Sequence, residues 1–200
     1  MMVPRLLVLY LRARRTGVAL AALLGGAALT WLLLDRTADP VLVKLTLIIL
    51  PLVPAAILGV ALRSPFGEAE RAVGSPLPAL RGWHLGGLLL VAGIALAVAN
   101  RAATGPDFDW LLVRNAAGYG GLALLGGRLA GAALSWLAPF LYGLFATVAP
   151  GGVLPRESGW LWPSQPPDVR AAATIACALL LVGLVVGVRY GARPVADEQG

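Results

Sequence analysis

Long uncharged apolar blocks, separated by short charged joints, restrict this chain more than any other feature of its sequence. Thr16–Leu34 is 19 residues without a charge. As a helix rising about 1.5 Å per residue it is about 28 Å long, close to the hydrocarbon thickness of a bilayer. A water-soluble core does not need blocks of that length. Further blocks run over about 41–62, 82–100, 110–126, 129–149 and 170–190. Composition agrees, with 58 % hydrophobic and 13 % charged residues and a mean hydropathy of +0.81. Lipid offers no hydrogen bonds, so a spanning backbone must satisfy itself, and unbroken blocks do so as helices. The expectation is an all-α polytopic membrane protein. Residues 1–200 form a single transmembrane domain with six transmembrane helices.

Two details of the blocks carry predictions. Trp110–Pro150 is apolar apart from Arg114 and Arg128. One helix over that stretch would be about 60 Å long, twice the membrane thickness, so it must fold back. The predicted turn is Gly126-Gly127-Arg128. Pro51 and Pro54 lie inside the second block and predict a kink, because proline removes a backbone donor. In a membrane this requires neighbouring protein to cover the freed carbonyls.

The net charge of +6 would suggest nucleic acid in a soluble protein. Here the basic residues flank apolar blocks, with no basic face interleaved with aromatics, so no nucleic-acid partner is expected. With the N-terminus inside, the inner segments carry ten basic residues (Arg5, Arg12, Arg14, Arg15, Arg63, Arg71, Arg81, Arg128, Arg189, Arg193) against four acids. The outer segments carry six of each. This asymmetry predicts that both termini are cytoplasmic, in a multi-pass plasma-membrane protein. Trp31, Trp110, Trp160 and Trp162 are expected in the outer aromatic belt, and Tyr10, Trp83 and Tyr190 in the inner one. Residues 1–15 read as a basic amphipathic helix at the interface. Arg14 falls on its apolar side and breaks the pattern.

Chemistry-bearing residues are sparse. Cys177 and His84 are the single cysteine and histidine, so a His/Cys metal cluster is excluded. Cys177 is expected to be a small apolar core residue, and His84 an interfacial anchor beside Trp83. Ser135 and Ser158 have no second histidine or buried aspartate to activate them. No carboxylate falls inside a predicted span, which argues against a proton-coupled antiporter. The chain is therefore not expected to be an enzyme, and no metal or cofactor of its own is expected. Small residues recur four apart at Gly17/Ala21/Gly25, Gly82/Gly86, Gly127/Gly131 and Gly183/Gly187/Gly191, which predicts close helix packing within the bundle.

The loop 63–81 is the longest polar stretch between blocks. Ser64-Pro65 is a good helix start, Glu68 and Glu70 suit its N-terminal half, and Gly74-Ser75-Pro76 ends it. The result is a short charged helix over Phe66–Val73, held just outside the membrane. It reads either as a solvated loop or as a docking knob for a cytoplasmic partner.

In its layout the whole chain resembles a short permease of the type-2 ABC-exporter family. The shared plan is a basic N-terminal interfacial helix (residues 3–15 here), six spans, a charged coupling helix between spans two and three (Phe66–Val73), and an outer re-entrant or interfacial segment before span six (residues 150–169). The Glu70-Arg71 pair matches the family's Glu-Arg and continues here as Ala-Val-Gly-Ser-Pro. The resemblance implies half of a translocation path in an ATP-driven exporter. A second permease chain, identical or different, supplies the other half. The chain carries no Gly-rich phosphate loop, so ATP and Mg would be held by a separate ATPase subunit. Phe66, Glu68, Glu70 and Arg71 would couple to it. Lys44 and Arg114 are the only charges more than about a turn inside a predicted span, and Asn115 lies beside Arg114. They read either as chains snorkelling to the outer headgroups or as lining of a translocation path. The alternative function is a non-transporting scaffold or accessory subunit of another membrane complex. An independent channel is a third reading.

Overall fold

A computed structural model describes residues 10–63, 76–104, 110–148 and 160–193. Their regular elements are all helices, with no strand among the described residues. We number the helices α1 (Thr16–Arg36), α2 (Pro40–Ile49), α3 (Leu52–Ala61), α4 (Pro76–Thr104), α5 (Leu111–Ala130), α6 (Leu137–Val148) and α7 (Arg170–Tyr190). Short 3-10 turns lie at Ala132–Leu134 and Trp162–Ser164. Four apolar stretches are long enough to cross a membrane: Thr16–Arg36, Pro40–Ala61, Leu77–Thr104 and Arg170–Tyr190. The protein is therefore an all-helical, membrane-embedded bundle.

The local reasons for these boundaries are mostly backbone chemistry. Asp39 caps α2, its Oδ1 accepting from the Val41 N–H at 2.8 Å, with Pro40 at the first helical position. The second apolar block is broken at Leu50-Pro51 into α2 and α3, as the prolines predict. α4 is longer than its expected span of 82–100, so residues 76–81 are helix rather than loop. Pro76 and Pro78 do not prevent this, because the first turn of a helix has no intrahelical use for their missing donors. α7 ends on Gly191 at φ 64, a left-handed conformation suited to glycine.

The predicted turn at Gly126–Arg128 is corrected. α5 runs straight through it to Ala130, and the chain reverses at Gly131, whose φ of 89 favours glycine. Gly126 and Gly127 are instead packing positions. A Cβ on Gly127 would lie 2.9 Å from a Leu62 methyl, and one on Gly126 would lie 3.1 Å from the Ser135 carbonyl. α6 that follows has only 12 residues.

α5 is the centre of the bundle. Twelve of its 20 residues are buried, so protein surrounds it on most sides. That explains why its sequence, with two arginines and five glycines, is less oily than its neighbours'. Its closest partner is α7. A Cβ on Gly183 would sit 2.6 Å from the Gly121 carbonyl oxygen, and one on Gly121 would collide with the Leu179 carbonyl. The two backbones therefore touch, as small-residue helix seams allow. Gly187 likewise packs on Leu62 and Leu124, whereas Gly17, Gly25 and Gly86 face open space. α5 and α7 run in the same direction: Arg114, near the start of α5, reaches the chain just before α7, and the Arg193 N–H, just past α7, donates to the Gly127 carbonyl at 3.1 Å. The outer surfaces of α1, α4 and α7 expose Val18, Leu24, Leu90, Val98, Leu181 and Val185, which suits lipid contact. Cys177 belongs to that exposed surface and not to the core.

Candidate functional site: a braced non-helical segment

The most highly organised polar site lies where the chain turns into α7. Residues 160–169 leave α-helical geometry at one end of the bundle, apart from the 3-10 turn at Trp162–Ser164, and their carbonyls need donors. Arg114 and Asn115, adjacent on α5, supply them. The Arg114 guanidinium donates to the carbonyls of Trp162 (2.6 Å), Gln165 (2.7 Å) and Pro166 (2.9 Å). Its Nε–H also reaches Asn115 Oδ1 at 3.4 Å. Asn115 Nδ2 donates to the Pro163 carbonyl and to the Leu47 carbonyl, each at 3.0 Å. Ser164 Oγ–H adds a bond to the Ala146 carbonyl at the end of α6 (2.7 Å). Arginine carries five donors in a planar fork, more than any other side chain can bring to one patch of backbone. This fork thus joins the start of α5 to the segment before α7, and Asn115 joins both to α2.

An aromatic cluster seats the same segment. Trp162 is 1 % exposed. It stacks on Tyr142 (centroids 5.6 Å apart, planes 21° apart) and leans on Tyr119 (4.9 Å). Its ring fills the notch left by Gly118, where a Cβ would lie 2.5 Å from the indole. The expectation that Trp162 belongs to the aromatic belt is therefore corrected: it is a core residue. Trp160 and Trp110 are exposed.

The predicted path residues separate. Arg114 (8 % exposed) and Asn115 are buried together, so Arg114 does not snorkel to the surface. Lys44, on α2, is exposed and does not join them.

At the opposite end, Arg14 explains its own place on an apolar face. Its Nη1 donates to the carbonyls of Ala61 (2.7 Å), the last residue of α3, and Arg63 (3.2 Å), just beyond it. A cation there suits the negative end of the helix. The guanidinium lies over the Tyr10 ring at 4.8 Å, and Tyr10 meets His84 edge-on at 6.0 Å. His84 is turned into the bundle while Trp83 is 81 % exposed, so Trp83 rather than His84 takes the surface position. Phe66, Glu68, Glu70 and Arg71, the coupling residues expected from the resemblance, lie outside the described residues, as do residues 1–9. Among the described residues no group of three or more His, Cys, Asp or Glu is arranged to hold a metal.

Sequence reasoning missed the Gly118 notch and the Tyr119/Tyr142/Trp162 cluster. The available signal was Gly118-Tyr119 on the same helix as two adjacent polar residues, which marks a face that protein, not lipid, must cover. No family model, curated protein or solved structure matches the chain.

Proposed function

We propose that this chain is a permease subunit of an ATP-driven ABC exporter in the plasma membrane, forming half of the translocation path with a second permease chain. The observation that carries the reading is the braced segment at 160–169. It is a non-helical stretch folded into one end of the bundle directly before the last apolar helix, the position the family resemblance assigns to its outer element. Two further features support it. Arg12, Arg14, Arg15, Arg63, Arg81, Arg128, Arg189 and Arg193 gather at the other end, which the positive-inside tendency assigns to the cytoplasm. Arg14 also ties the N-terminal segment to the end of α3, from which the chain runs on to residues 64–75.

In this reading an ATPase subunit docks on Phe66–Val73 and pushes on α3 and α4, whose near ends flank that loop. α5 lies against both, and its start is bonded to the 160–169 segment, so movement at the inner end is transmitted to the outer one. The transition is a rigid-body rocking between two arrangements. Six crossings and cytoplasmic termini belong to the same proposal.

Affinity capture of the full chain in mild detergent tests it. The expected result is co-purification of an ATPase, with capture lost on Glu70→Arg together with Arg71→Glu. Capture of a different protein without an ATPase would replace the reading with a membrane scaffold. Solute flux through liposomes containing this chain alone would replace it with a channel.

A further inference from the structure

α1 and α4 run side by side in the same direction, and along the half of their length nearer Arg36 and Thr104 they part to leave an apolar groove of about 520 Å³. Leu24, Ala28 and Trp31 line it from α1, and Ile94, Val98 and Ala102 from α4. The alanines keep it open: a bulkier residue at 28 or 102 would fill it. Between Val91 and Ala102 the lining covers 11 residue steps, or about 16 Å of helix axis, which is the depth of one bilayer leaflet. A second helix would need a longer and wider trough. The groove matches the length and polarity of a single acyl chain.

The rim adds charge. The α1 stripe 24–28–31 continues at helical spacing to Asp35, and the α4 stripe 94–98 continues to Arg101. Both residues are exposed, at the same end of the two helices. Among the described residues Asp35 pairs only weakly, with the neighbouring Arg36 at 3.5 Å. Arg101 has no bonded partner among the described residues. The groove therefore opens, at headgroup level, between the Asp35 carboxylate and the Arg101 guanidinium, and Trp31 stands just below them.

We propose that this groove is a binding site for a phospholipid with a phosphoethanolamine headgroup. One acyl chain lies along α1 and α4, Arg101 donates to the phosphate, and Asp35 accepts from the primary ammonium. A choline headgroup keeps the charges but has no N–H to give Asp35, and a glycerol headgroup offers hydroxyls but no cation to offset its charge. The site needs only the membrane-embedded fold, so it stands or falls separately from the exporter reading.

The test uses the full chain reconstituted in vesicles of phosphatidylcholine doped with lipids whose tails are brominated near mid-chain. Bromine quenches tryptophan at near contact, and Trp31 is the reporter. The expected result is quenching by brominated phosphatidylethanolamine about fivefold more effective than by brominated phosphatidylcholine, the size of a modest exposed polar pairing. The preference should fall to about one with Arg101→Gln or Asp35→Asn, both surface changes. Trp31→Phe should remove the lipid-specific part of the signal. Equal quenching by the two lipids, or stronger quenching by phosphatidylglycerol, overturns the proposal. So does a lipid-specific signal that survives Trp31→Phe. Disulfide cross-linking between copies through Ala95→Cys, in a Cys177→Ala background, also overturns it, because a second chain would then fill the groove.

Discussion

Asn115 donates to the carbonyl of Leu47, and Leu47 lies four residues before Pro51. That carbonyl would ordinarily receive the N–H of residue 51, which proline lacks. The side chain on α5 therefore supplies the bond that the kink between α2 and α3 takes away. The same amide group also holds the Pro163 carbonyl. The cover required for a proline inside an apolar block is thus a specific residue, and it is shared with the braced segment.

Asn115→Leu should destabilise the protein by about 1–3 kcal/mol, because buried carbonyls lose their donors. Pro51→Ala restores an N–H in helical geometry to the Leu47 carbonyl. The Pro51→Ala/Asn115→Leu double variant should therefore be more stable than the sum of the two single changes predicts. Equilibrium unfolding in mixed micelles measures the cycle, and strict additivity would contradict the assignment.

Arg114→Lys keeps the charge and loses the planar fork, so it should behave as a severe change. Lysine cannot reach three carbonyls spread over Trp162–Pro166. The expected result is a stability loss of about 2–4 kcal/mol and faster proteolysis within 160–169. Wild-type protease resistance in Arg114→Lys would show that the brace does not hold the segment.

Glycine positions should split into two groups. Gly118→Ala pushes a methyl into the Trp162 ring, and Gly183→Ala into the α5 backbone, each costing about 1–3 kcal/mol or more. Gly25→Ala and Gly86→Ala meet nothing within 4 Å and gain helix propensity, so they should be neutral or stabilising by up to about 1 kcal/mol. Thermal stability in detergent ranks the four variants directly. Trp162→Leu should rescue Gly118→Ala and leave Gly183→Ala unimproved.

Membrane sidedness has its own test. A cysteine placed at Glu70, in a Cys177→Ala background, should react in intact cells with a membrane-permeant maleimide and not with an impermeant one. Labelling from outside would reverse the orientation inferred from the arginines and remove the basis for an ATPase contact at that loop.

Arg14→Gln should loosen the junction of the N-terminal segment with α3. Its guanidinium meets two carbonyls at a helix end, an arrangement worth about 0.5–2 kcal/mol. The change should raise hydrogen exchange at the end of α3 and leave the Trp162 end unaltered. Equal loosening at both ends would mean that Arg14 acts on the whole fold.

Much of the architecture follows from one-dimensional information. Block length and the absence of charge suffice to place the helices of Thr16–Arg36 and Arg170–Tyr190 almost to the residue, because the cost of exposing backbone or charge to lipid acts on each segment separately. Pro51 marks the break between α2 and α3 for an equally local reason. Contacts between segments behave differently. Gly126-Gly127 looks like a turn in the sequence and is a packing surface, since a glycine gives the same signal for flexibility as for close approach. Trp162 looks like a belt residue and is buried, and Arg114 looks like a snorkelling chain and is a brace. Each of those outcomes depends on whether another helix, a notch such as that at Gly118, or a row of unpaired carbonyls lies opposite. Solvation energies of individual blocks are written along the chain; the pairing of donors with carbonyls and of rings with notches exists only once the helices have come together.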